Sequence, residues 1–209
     1  MSGTDEGAHG WPDRPGDTAL TIKVPAADPL VRAPFPAHVT VLYPFLHASR
    51  IDAATDARLG ALFAGHEAFE LTFAEFGRYP GVLYLDPWPH APVTALTKHL
   101  MACWPEALPY RGIFGAAPLA PHLTLANDAG PDTCRRAYDA VEAELAPELP
   151  LTAPVTAVDL IVWDGTGWRD RKAYELGRGS RQPATGSRAV SAQSLGATTD
   201  NAGSPARAV

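Results

Sequence analysis

The stretch Pro36-Ala37-His38-Val39-Thr40-Val41-Leu42-Tyr43-Pro44 reads as a bend, a β-strand and a stop. Its β-branched residues favour a strand, and Pro44 cannot continue one. Side chains of a strand alternate between faces, so His38 and Thr40 share one face while Val39 and Val41 share the other. The aliphatic face belongs in a core. That leaves an imidazole and a hydroxyl together on the more polar side. Pro121-His122-Leu123-Thr124-Leu125-Ala126 repeats the arrangement, with His122 and Thr124 opposite Leu123 and Leu125.

The surroundings repeat as well. After the first motif, Ile51 to His66 reads as a helix with Asp52 at its N-cap and Leu59, Leu62 and Phe63 on one face. Phe69 to Tyr79 alternates as a strand, Pro80-Gly81 turns, and Val82 to Leu85 returns. Pro92 to Trp104 has helical spacing. After the second motif, Gly130-Pro131-Asp132 opens a helix carrying Cys134, Tyr138, Val141 and Leu145 on one stripe. Val155 to Trp163 reads as a strand, Asp164-Gly165-Thr166-Gly167 as a hairpin turn, and Trp168 to Leu176 as the return. Thr18 to Val24 is a further strand. Two pseudo-repeats, about 37–86 and 121–177, therefore share the order strand, helix, strand, turn, strand. The expected fold class is α+β, pseudo-twofold, with facing sheets. The folded domain is expected over 18–177, with a flexible N-terminus over 1–17. A disordered tail is expected over 178–209, where from Gly179 on the chain lacks aromatic residues and is rich in Gly, Ala, Ser, Thr and Pro.

Composition limits the functions. The 209 residues carry a net charge of −6, and residues 178–209 contribute +3, leaving −9 on the rest. So acidic a body is a poor partner for extended nucleic acid, which is held by many Lys and Arg contacts to phosphate. A small anionic ligand held by a few aimed groups is compatible with it. No apolar run reaches the roughly 18–20 residues of a membrane-spanning helix. Met1 to Gly10 does not read as a secretory signal. Cys103 and Cys134 form neither a disulfide framework nor a CxxC pair, which points to a reduced, cytoplasmic setting. A monomer is expected.

Two imidazoles and two hydroxyls around one cleft suit in-line displacement at a phosphodiester. A neutral imidazole takes a proton from the attacking oxygen; a protonated one gives a proton to the leaving oxygen. The hydroxyls of Thr40 and Thr124 donate to the non-bridging phosphate oxygens. No HExxH, Cys/His cluster or Asp-rich site is present, so neither metal nor cofactor is expected.

These paired H-x-T motifs, with the intervening Tyr79-Pro80-Gly81-Val82-Leu83-Tyr84-Leu85, resemble the 2H phosphoesterase superfamily, and within it the 2'-5' RNA ligase family. The resemblance spans about residues 18–177. It implies a bilobal fold in which two antiparallel sheets line a central cleft with helices outside. It also implies metal-independent hydrolysis of 2',3'-cyclic phosphates or 2'-5'-linked nucleotides, with His38 and His122 catalytic and Thr40 and Thr124 binding phosphate. The substrate would be a small nucleotide or an RNA end. ATP-dependent ligation is not supported, since the chain has no KxDG motif and no P-loop.

The motifs leave open which histidine is acid and which is base. A different class of function also fits them: a module that binds cyclic or 2'-phosphorylated nucleotides without turning them over. A third reading is a structural domain with two chance H-x-T strands. By the alternation of its strand Tyr43 belongs to the core. Tyr84, Trp88 and Phe114 read as packing residues, Arg78 and Arg111 as surface charges. His66 and His99 read as solvated or packed helix residues, and Trp163 and Trp168 as a pair across the hairpin.

Overall fold

The structure, a computed structural model, describes residues 13–33, 35–115, 119–127 and 134–178. The strands are β1 (Thr18–Lys23), β2 (His38–Leu42), β3 (Phe69–Tyr79), β4 (Val82–Trp88), β5 (Leu123–Ala126), β6 (Leu151–Val155), β7 (Ala157–Trp163) and β8 (Trp168–Glu175). The helices are α1 (Ala53–Ala64), α2 (His90–Cys103) and α3 (Cys134–Leu145).

All eight strands join one antiparallel sheet in the order β6-β3-β4-β5-β2-β1-β7-β8. The expectation of two separate facing sheets is corrected here. β2 and β5 lie side by side and pair at Val39 and Leu123, so the two four-stranded halves are one sheet. The physical reason is edge satisfaction. Two separate sheets would leave β2 and β5 as open edges, and pairing them removes both.

The aliphatic face carries the core. Val39, Leu123, Leu83 and Leu85 are fully buried, as are Leu71, Phe73 and Val158. The helices pack on this face. Asp52 caps α1 by accepting from the Thr55 amide at 2.8 Å, and Phe63 of α1 lies 5.5 Å from the Tyr174 ring of β8. Thr97 of α2 donates to the Val41 carbonyl of β2 at 2.7 Å. Tyr138 of α3 donates to the Gly81 carbonyl at the β3–β4 turn. The opposite face carries the alternate residues of each strand, among them the motif residues.

Two boundaries differ from the sequence reading. The expected Val155–Trp163 strand is broken at Thr156, and an additional strand, β6, precedes it on the edge of the sheet. Residues 13–17, grouped above with the flexible start, are tied down. The Gly16 amide donates to the Trp163 carbonyl, and Asp17 accepts from Arg111 at 2.6 Å. Residues 1–12, the tail from 179 onward and the Gly130-Pro131-Asp132 start of the third helix lie outside the described residues.

Candidate active site

The single rung between β2 and β5 brings the motifs together. Val39 pairs with Leu123 in antiparallel register, so counting outward sets His38 against Thr124 and Thr40 against His122. All four side chains fall on the face opposite the buried Val39 and Leu123. Each of the four is half-buried. The two imidazoles are close enough for the charge of one to act on the other.

The histidines are held alike. His38 Nδ1 lies 2.8 Å from the Pro36 carbonyl, and His122 Nδ1 lies 2.9 Å from the Ala120 carbonyl. A carbonyl can only accept, so each Nδ1 carries the hydrogen. Each neutral ring therefore presents a bare Nε2. The proline-containing bend before each strand aims that carbonyl, two residues back, at the ring. Burial lowers both pKa values below the usual imidazole value. For His38 the nearby His122 adds to the lowering. The carbonyl bonds oppose it, since they favour the protonated ring.

The walls around the two rings differ. Tyr79 and Tyr84 stack on each other at 4.6 Å between centroids. Both meet the His122 ring edge-on, at 5.4 and 5.5 Å. Burial and then the neighbouring Tyr84 push the Tyr79 phenol up to about 12, so it stays protonated at neutral pH. His38 meets Phe35 at 5.4 Å. Across the β1–β2 pair, Lys23 is the partner of His38 and bridges Asp159 at 3.2 Å and Asp170 at 2.7 Å.

Sequence reading missed the residue that seats the tyrosine wall. Gly77 pairs with Tyr84 across the β3–β4 hairpin. A Cβ at Gly77 would sit 2.3 Å from two carbons of the Tyr84 ring, so the ring lies flat on the strand where a side chain would be. The sequence does hold a signal for this. Counting outward from the two-residue turn Pro80-Gly81 sets 77 opposite 84. Gly77→Ala is expected to displace Tyr84, loosen His122 and lower kcat about 10-fold or more. NMR titration checks it: the midpoint of His122 should move further than that of His38, which feels the change only through His122. A variant with wild-type kcat and an unmoved His122 would show that the wall does not position the ring.

Tyr110 is a second residue not singled out by its sequence. It and Arg111 are consecutive non-glycine residues at positive φ, 48° and 54°. Such residues cost about 1–2 kcal/mol each and persist only where the surroundings hold them. Here the Tyr110 amide donates to the Tyr43 carbonyl at 2.6 Å, and the Arg111 guanidinium is bound by Asp17 and lies over the Tyr43 ring. The Tyr110 side chain lines a small pocket with Thr40 and His122.

Other expectations are settled by their contacts. Tyr43 does not join the core. β2 ends at Leu42, so alternation stops there. The Tyr43 ring instead meets Tyr110 and Trp168 edge-on, and its hydroxyl donates to Asp13. Trp163 and Trp168 do pair across the hairpin, at 5.7 Å. Arg78 is bound by Asp139 and Glu142 of α3. His66 and His99 face each other at 3.0 Å. Trp88 and Phe114 lie at the surface, 69% and 56% exposed, with the Phe114 ring edge-on to Tyr110 at 5.5 Å.

Comparison with known proteins agrees with this architecture. Residues 17–167 match the 2'-5' RNA ligase superfamily. Among curated proteins none matches significantly. Of solved structures, the chain is similar to TT0787 of Thermus thermophilus, at 18% identity and a TM-score of 0.53, covering 78% of this chain and 99% of that one. It is also similar to Escherichia coli LigT complexed with 3'-AMP, at 18% identity and a TM-score of 0.51, again covering 78% and 99%. A structure described as a phosphoesterase matches at 18% identity and a TM-score of 0.50, over 79% of this chain and 100% of that one. With the match spanning β1 to β7 and both H-x-T strands, the chain belongs to the 2'-5' RNA ligase superfamily, within the 2H phosphoesterases.

Proposed function

We propose that the protein is a metal-independent phosphodiesterase that opens 2',3'-cyclic phosphates of nucleotides or RNA ends with water. The observation that carries this reading is the pair of imidazoles on adjacent strands. Each is locked by a carbonyl on Nδ1 and presents Nε2 on the same face of the sheet. One Nε2 accepts the proton of the attacking water and the other, protonated, supplies the leaving ribose oxygen. Thr40 and Thr124, alternating with them across the two strands, donate to the non-bridging oxygens. The LigT crystals that hold 3'-AMP and NADP+ support a small nucleotide as ligand.

Incubating the purified protein with a 2',3'-cyclic mononucleotide and EDTA should yield the monophosphate at an undiminished rate. Binding without product across all four bases would favour the non-catalytic binding module instead. Thr40→Val and Thr124→Val should each lower kcat/KM about 10- to 100-fold, the worth of a hydrogen bond to a charged group. Steady-state kinetics check this; unchanged values in both variants would remove the threonines from the phosphate site.

A further inference from the structure

Tyr110 stands outside both H-x-T strands, yet its phenol is a hydrogen-bond partner of the Thr40 hydroxyl in the pocket that the two residues line together. Burial pushes this phenol up, against the opposing pull of Thr40, so it keeps its hydrogen at neutral pH. Thr40 has one hydroxyl hydrogen and two lone pairs. In the free protein either hydroxyl can donate to the other. Once a phosphate oxygen takes the Thr40 hydrogen, only Tyr110 can donate. The order is then fixed: Tyr110 gives its hydrogen to Thr40 Oγ1, and Thr40 gives its own to phosphate. A hydroxyl that accepts one bond donates the next more strongly, and it can no longer turn its hydrogen elsewhere.

The seat of Tyr110 is built from a distance. Its left-handed backbone, and that of Arg111, go against the preference of both residues. The Tyr43 carbonyl accepts from the Tyr110 amide, and the Tyr43 and Tyr110 rings meet edge-on at 5.9 Å. Asp17 Oδ2 accepts from the Arg111 guanidinium and, at 2.8 Å, from the Arg14 amide. The Asp17 side chain is only 12% exposed, so this ion pair is shielded in a way that surface pairs are not. The Tyr43 hydroxyl donates to Asp13. Residues 13–17 thus grip both residues that hold Tyr110. The segment is itself anchored. The Gly16 carbonyl accepts from the Ala48 amide at 2.7 Å, and the Asp17 carbonyl from the Trp163 amide at 2.8 Å.

We infer that Tyr110 is a positioning residue that aims the Thr40 hydroxyl at phosphate, and that the segment ahead of β1 sets Tyr110 through Asp17 and Arg111. This rests on the phosphodiesterase reading above. It adds a chain of residues, Asp17, Arg111, Tyr110 and Thr40, that starts before either pseudo-repeat.

Tyr110→Phe keeps the ring and removes only the hydroxyl. It should lower kcat/KM for a 2',3'-cyclic mononucleotide about 3- to 10-fold, the worth of one hydrogen bond. In a Thr40→Val background the same change should cost less than about 2-fold, because the hydroxyl it serves is gone. Asp17→Ala and Arg111→Met cut the chain at its other end. Each should lower kcat/KM at least about 3-fold and again do little in the Thr40→Val background. Thermal unfolding of each variant accompanies the kinetics, since a general loss of stability would lower activity equally in both backgrounds. Wild-type kcat/KM in Tyr110→Phe, or equal losses with and without Thr40, overturns the positioning role. Wild-type kcat/KM in both Asp17→Ala and Arg111→Met overturns the part given to residues 13–17. Binding of the cyclic nucleotide by the wild type without any product would overturn the phosphodiesterase reading instead. The same cycle read as Kd then still decides whether Tyr110 acts through Thr40.

Discussion

Alanine in place of either His38 or His122 should lower turnover of a 2',3'-cyclic nucleotide by about 10²–10⁴, the usual worth of a general acid or base. The double variant should lose little beyond the worse single, because the two rings serve one displacement and their effects do not add. The pH dependence carries the second half of this expectation. The base must be neutral, so activity falls on the acid side of its pKa. The acid must hold its proton, so activity falls on the alkaline side of its own. In the free protein burial lowers both rings below the ordinary imidazole value of 6.5. The maximum of kcat/KM should therefore lie on the acid side of about 6.5. A bound phosphate adds a negative charge beside both rings and favours their protonated forms. The optimum of kcat should accordingly lie at a higher pH than that of kcat/KM. Rate profiles in single and double variants test this. An alkaline optimum for kcat/KM, or full activity in either alanine variant, would defeat the paired acid–base account.

Leu123→Ala should destabilise the protein by about 2–5 kcal/mol, the range for removing a fully buried leucine. Leu123 is completely buried and stands opposite Val39 on the rung that joins the two halves of the sheet. It is also the residue between His122 and Thr124. The loss should therefore reach the site, with the remaining folded protein binding substrate less well. Urea unfolding gives the stability and KM gives the binding. A change below about 1 kcal/mol would mean that the halves hold together without this contact.

The sequence made the motif strands readable because three local signals agree in them: alternation, β-branched residues and a proline bend in front. The face shared by His38, Thr40, His122 and Thr124 followed from that alternation. What local pattern could not carry was the pairing of β2 with β5, a contact between residues 84 positions apart with a single rung to define it. β6 was hidden by Pro154, which argues against a strand in mid-sheet. It is tolerated here because, among the described residues, β6 is an edge strand paired with β3. Tyr43 was misplaced because alternation was carried one residue past the end of β2. A cavity of ≈ 400 Å³ gathers Lys23, Asp28 and Pro36 from the start of the domain and Trp168, Arg169 and Asp170 from its end, and no spacing in the chain announces it.

The strand order crosses the apparent repeats. One side of the sheet takes β3 and β4 from the first repeat and β5 and β6 from the second; the other takes β2 from the first and β7 and β8 from the second, with β1 from the stretch before both. Each half-sheet is thus woven from both ends of the polypeptide. Neither repeat is an autonomous unit, and the gene could not be cut between them to yield a working half. The paired motifs meet only once β5, from late in the chain, has found β2.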